Sequence, residues 1–170
     1  MKKYPVAMML IHWLTLLLVV AAYATSGDPT RGHNPLDFLL GQIHVLTGCL
    51  LFILVLARLV VRFISPLPPV TNTAPVLAAA AKAGHGLLYL FMLLTPLAGW
   101  CKLSSKVSDF DAILFSPPLL AQPSPWLHQL GNAHETIGNL FITLVGLHAV
   151  AALVHHYYFK DETLKKMLPH

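Results

Sequence analysis

Four apolar runs, near residues 7–25, 40–63, 84–103 and 132–158, constrain this chain more than any other feature. About twenty apolar residues in a helix span the roughly 30 Å hydrocarbon core of a bilayer, and each run is of that order. Only 11% of the 170 residues are charged, against 56% hydrophobic, so a soluble domain of this size could barely cover its surface. The sequence predicts an all-α membrane protein: a four-transmembrane-helix bundle forming one domain over residues 1–170. Lys2 and Lys3 precede the first run as they would in a signal peptide, but further spans follow it and no small-residue cleavage site leads into a soluble domain. The first run is therefore read as a retained helix. Pro66, Pro68, Pro69 and Pro75 separate the second and third runs, and Pro117, Pro118, Pro123 and Pro125 mark a long loop before the fourth.

The basic residues divide between the two ends of such a bundle. Lys2, Lys3, Arg58, Arg62, Lys82, Lys160, Lys165 and Lys166 fall on one side, and Arg31, Lys102 and Lys106 on the other. The richer side is expected to be cytoplasmic, with both termini there. On this reading the net charge of +4 reflects orientation against membrane lipid and not a nucleic-acid partner. Cys49 and Cys101 lie too far apart for a CxxC or CxxCH pattern, which argues against zinc sites and covalently attached haem and leaves them as packing residues. Trp13, Trp100, Tyr157 and Tyr158, near span ends, read as residues of the aromatic belt.

The apolar runs carry histidines, and an imidazole in hydrocarbon needs a partner. His134 and His148 are fourteen residues apart, which on a helix returns to within about 40° of the same face and advances about 21 Å. That face presents two imidazoles at two depths. With helices alternating in direction, His44 matches His134 in depth and His12 matches His148. Two haems stacked across a bundle, each iron held by an imidazole from either side, require this arrangement. Gly48, Gly131 and Gly138 lie within a turn of His44 or His134, where a macrocycle would need clearance or helices would pack closely. A bound transition metal or a buried polar network are the competing readings of the four histidines.

Other residues surround the pair nearer the termini. His155, seven residues after His148, keeps its face about 10 Å further on; it reads either as a proton-delivering ligand of a quinone or as an imidazole reaching the interface. His156, turned by about 100°, is expected at the interface. His85 is placed at the opening of the third helix, completing such a pocket or meeting the headgroups. Arg58 and Arg62 end the second helix and would pair with haem propionates or a quinone headgroup, or anchor the helix.

The segments IHWLTLLLVVAAY, GQIHVLTG with ARLVVR, GHGLLYLFMLLTPLAGW and AHETIGNLFITLVGLHAVAALVHHYYFKDETLKKMLP together resemble the prokaryotic cytochrome b561 family over nearly the whole chain. The resemblance implies a bacterial inner-membrane, multi-pass protein with two noncovalent haems b, ligated by His12, His44, His134 and His148. For the superoxide-oxidising members it further implies one-electron oxidation of superoxide at the periplasmic side and reduction of ubiquinone. A site that attracts superoxide gains from positive potential. The outer loops hold Arg31, Lys102 and Lys106 against Asp28, Asp37, Asp109, Asp111 and Glu135, so steering depends on Lys102 or Arg31 standing close to the outer pair. The alternative is a non-catalytic carrier or membrane anchor subunit that exchanges electrons between a partner dehydrogenase and the quinone pool; a homodimer is a further possible assembly. A histidine-lined proton or metal transporter would carry no haem.

Overall fold

The computed structural model describes residues 3–27, 30, 34–65, 75–122 and 124–168. Among these residues all regular structure is helical. Four long helices, α1 (Val6–Ala24), α2 (Pro35–Ile64), α3 (Pro75–Ser104) and α5 (His134–Tyr157), are long and apolar enough to cross a membrane. A short α4 (Pro125–Asn132) precedes α5, and a single 3-10 turn, η1 (Lys165–Met167), lies in the tail.

Two helices begin earlier than their apolar runs. In α2 the Asn34 side chain accepts a hydrogen bond from Asp37 N (2.9 Å), and Pro35 opens the first turn, where its missing N–H costs nothing. The start of α3 is PVLAAAAKAG, helical through its alanines and too weakly apolar to have been counted as span. Pro75 and Pro125, expected to break the chain, are the first residues of α3 and α4. His85 therefore does not open the third helix; it lies ten residues inside it. The long loop before the fourth run contains α4, and a single residue, Ala133, joins α4 to α5.

α1 packs chiefly on α2, and α3 on α5, with α2 and α3 joining the two pairs. α1 barely touches α5, and α2 meets it more sparingly still. Val19, Leu51, Val55, Met92 and Phe141 form the buried mid-bundle cluster. Phe141 is seven residues from both His134 and His148, so it shares their face and stands between their levels, its ring stacked on Phe91 (6.5 Å, 6°). Outside this cluster large apolar side chains are exposed on every long helix, Leu17, Ile53, Leu90 and Leu147 among them. Lipid is the solvent that suits such surfaces.

The chain's two ends meet. The Tyr4 N–H donates to Lys166 O (3.3 Å), Lys3 Nζ to Leu168 O (3.2 Å) and Trp13 Nε1 to Met167 O (2.9 Å). Both terminal segments thus occupy one end of the bundle, here called the terminal end; the segment 105–122 and α4 occupy the other, the loop end. The indole N–H groups of Trp13 and of Trp100, which donates to Pro118 O (2.6 Å), are engaged by protein carbonyls and not left to the headgroups.

Candidate haem site

At the loop end His44 of α2 faces His134 of α5, with ring centroids 5.9 Å apart and planes at 76°. Each ring is oriented by a main-chain carbonyl. His44 Nδ1 donates to Ala22 O (2.7 Å), which ties α2 to the end of α1, and His134 Nδ1 donates to Thr95 O (3.0 Å) on α3. With both Nδ1 atoms protonated, both Nε2 lone pairs are left to bind. Gly99 makes room for this: a Cβ there would meet His134 Cε1 at 2.9 Å.

At the terminal end His12 of α1 faces His148 of α5, with centroids 6.3 Å apart and planes at 65°. His85 of α3 joins them, 5.6 Å from His148. Arg58 of α2 places Nη2 3.0 Å from His12 Nδ1, donates from Nε to the Tyr89 hydroxyl (3.1 Å), and lies 5.6 Å above the Tyr89 ring. Tyr89, four residues after His85 on the same face of α3, was not singled out from the sequence, although that spacing was available. Arg62, one turn beyond Arg58, is exposed.

These separations test whether haem iron fits. A metal–imidazole bond of about 2.0–2.1 Å, with about 1.1 Å from nitrogen to ring centre on each side, puts two axial imidazoles roughly 6.3 Å apart between centroids. The terminal pair stands at that distance and the loop pair a few tenths of an ångström short of it. Both pairs bridge α5 to α1 or α2, where the helices themselves make little contact. Gly48, one turn from His44, opens onto space: a Cβ there would meet nothing within 4 Å. Among the described residues no group of three or more His, Cys, Asp or Glu side chains converges as a metal-ion site, so the donor set fits a cofactor that needs two axial ligands better than a bare ion. Two glycines read from the sequence either as clearing a macrocycle or as close helix packing lie against α3. A Cβ on Gly131 would strike the Lys102 backbone at 2.7 Å, and one on Gly138 would touch Thr95 Cγ2 at 4.0 Å; both serve helix packing.

Lys102, three residues after Gly99, is half-buried; its charge acts on both His44 and His134, and the charge of Glu135 acts on His134 in the opposite sense. The acids are placed outward: Asp37 is exposed and held by Asn34 Nδ2 (2.7 Å), and Asp109, Asp111 and Glu135 are exposed. Arg31 and Asp28 lie outside the described residues. Cys49 and Cys101 are free thiols, the latter buried.

Beyond the terminal pair, His155 Nδ1 donates to Asp161 Oδ2 (2.6 Å), and its ring rests against Phe159 (5.3 Å). The reversal that brings Asp161 back to α5 uses Lys160 at a positive φ of 53°. Partial burial pushes the Asp161 carboxyl up, but the Thr163 N–H and the His155 imidazole together outweigh it and hold it below the usual carboxylate range. His156 is half-buried, with no hydrogen-bond partner at Nδ1.

The family model for prokaryotic cytochrome b561 matches residues 3–170. The chain is 33% identical to the probable superoxide oxidase CybB of Yersinia pestis, over 99% of this chain and 97% of that one. It is 30% identical to cytochrome b561 homolog 1 of Escherichia coli K12 (99% and 98% covered) and 30% identical to cytochrome b562 of Cereibacter sphaeroides (93% and 90% covered). With four apolar helices and histidines paired across them, the chain belongs to the prokaryotic cytochrome b561 family of membrane electron-transfer proteins, a membership that implies haem b.

Proposed function

We propose that this protein is a di-haem superoxide:ubiquinone oxidoreductase of the bacterial inner membrane, with His44 and His134 holding one haem b and His12 and His148 the other. The observation that carries the reading is the presence of two imidazole pairs, at opposite ends of the bundle, with centroids 5.9 and 6.3 Å apart. When bound, the haems supply one-electron redox chemistry at two levels of the membrane. The terminal end, which holds Lys3, Arg58, Arg62, Lys82, Lys160, Lys165 and Lys166, is cytoplasmic, and the loop end periplasmic.

The residues then divide the reaction. Two superoxide anions each lose one electron and leave as dioxygen; ubiquinone gains two electrons and two protons. Lys102, half-buried beside the loop pair, attracts the anion to that end and holds it near His44 and His134. Burial strengthens its effect relative to the exposed acids. At the terminal end Arg58, Arg62 and His85 bind the quinone headgroup or the propionates. His155, its Nδ1–H fixed by Asp161, presents Nε2 to exchange protons with a quinone oxygen.

The test is stopped-flow absorbance of the purified protein with a superoxide source, with and without ubiquinone. Reduction by superoxide, slowed by Lys102→Gln and by salt, followed by reoxidation on adding quinone, is the expected result. A protein that superoxide does not reduce, but that a partner dehydrogenase does, would be the carrier or anchor subunit instead.

A further inference from the structure

The segment between α3 and α4 is irregular, yet it folds back along the bundle instead of rising away from it. Leu103, Phe110 and Ala112 form a second buried cluster, against which Val45 of α2 and Leu119 pack. Gln42 Nε2 donates to Asp111 O (2.8 Å), the Phe110 ring lies 6.4 Å from that of Phe38, and the Leu120 N–H donates to Ser104 Oγ (3.2 Å). With Trp100 Nε1 on Pro118 O, these contacts tie residues 110–120 to the ends of both α2 and α3. Val45 adjoins His44, and Gln42 precedes it by two residues, about 3 Å along the helix. Because the apolar run of α2 begins near residue 40, the segment lies at the edge of the hydrocarbon, level with the loop pair.

Its chemistry suits that level. Residues 112–121, AILFSPPLLA, carry no charge. Ile113, Leu114 and Phe115 are all exposed, Leu114 at 75%, and so are Leu36 and Leu39 at the same end of α2, which continue the apolar surface of that helix. Three consecutive large apolar side chains held out into water would be unfavourable. The backbone is provided for: the Ala112 N–H donates to Phe115 O (3.0 Å) and the Leu114 N–H to Ala112 O (2.7 Å), Asp111 O and Pro118 O accept from side chains, and Pro117 and Pro118 have no N–H to satisfy. Backbone groups engaged in this way tolerate a medium poor in water. Ile113 makes the turn at a φ of 69°, where a β-branched residue is strained and a glycine would not be. What glycine lacks is a side chain to bury, and burial of this one in lipid offsets the strain.

We infer that residues 113–115 are an interfacial anchor: Ile113, Leu114 and Phe115 insert between lipid headgroups and acyl chains at the loop end, and phospholipid is the partner that covers them. Through Gln42, Val45, Trp100 and Ser104 the anchored segment fixes the depth at which the loop pair sits. The inference depends neither on haem ligation nor on which end faces the cytoplasm.

The test uses the wild-type protein in nanodiscs that contain a phospholipid with a photoactivated carbene precursor near the top of its acyl chain. Peptide mass spectrometry after illumination should find lipid adducts on residues 113–115 at a yield comparable to that at Ile53, which is exposed on α2, and several-fold above that on residues 106–109. A nitroxide on Leu114→Cys, with Cys49 and Cys101 replaced by alanine, should collide more with oxygen than with a water-soluble nickel chelate, and one on Asp109→Cys should do the reverse. Where the cysteine variants do not fold, the adduct yields decide alone. Yields on residues 113–115 no higher than on 106–109, or a Leu114 label more accessible to nickel than to oxygen, overturn the inference. A Leu114 label shielded from both reagents, with spectral lines that narrow on dilution with unlabelled protein, would mean that a second copy of the chain covers the three side chains, and overturns it as well.

Discussion

His12 and His148 face one another across α1 and α5 with ring planes at 65°, and His44 and His134 repeat the arrangement at 76°. Neither pair approaches coplanarity. Axial imidazoles with crossed planes leave the iron orbitals nearly degenerate, so both centres should give highly anisotropic low-spin EPR signals in the oxidised protein. Rhombic signals of the coplanar type would mean that the rings turn on binding the cofactor.

His148 has two imidazole neighbours, and only one can be the second axial ligand. His12 stands at 6.3 Å, the separation an intervening iron requires, whereas His85 is closer, at 5.6 Å, and exposed. His85→Gln should retain both haems, whereas His12→Ala should lose one of two. Haem quantified per chain for the two variants decides between them; loss on removing His85 would transfer the ligand role to α3.

Asp161 holds His155 Nδ1–H at 2.6 Å. Asp161→Asn should leave the haem spectrum intact while slowing reoxidation by ubiquinone about tenfold, by analogy with outer-shell partners of functional histidines. Asp161→Glu should recover part of the loss. Because the folded-state pKa of Asp161 is lowered, its contribution is complete above the pKa of a free carboxylate and is lost only as pH falls through the lower folded value. The Asp161 carboxyl, read from its carbon shift, should therefore stay ionised through the pH range in which an ordinary carboxylate protonates. An equal quinone rate in Asp161→Asn would leave the dyad purely structural.

Gly99→Ala places a methyl 2.9 Å from His134 Cε1, in a ring already held by Thr95 O. The ring must shift, so haem retention at the loop pair should weaken about 10–100-fold, with the terminal pair unaffected. Stepwise haem extraction measures the two separately. Gly48→Ala, which meets open space, is the matched control for the protein without cofactor.

Hydropathy made the four spans legible, and the fourteen-residue spacing of His134 and His148 made the two levels legible, because both are properties of a single helix. The early starts of α2 and α3 were not, since an asparagine cap and an alanine run form helix without being apolar enough for a span. Contacts between helices were the least accessible. That Gly99 packs on His134, or that Arg58 reaches Tyr89, depends on the rotation of α3 against its neighbours, which no one-helix pattern contains. The His155–Asp161 bond depends on a chain reversal at Lys160 that has no glycine to announce it.

Two bis-histidine haems per chain is the claim on which the rest depends. Pyridine haemochrome quantification of the purified protein against its polypeptide concentration tests it most directly. Two haems b per chain, both extracted by acid–acetone and one lost on substituting a member of either pair, is the expected result. A single haem, or a pair that survives loss of both His44 and His134, would contradict it.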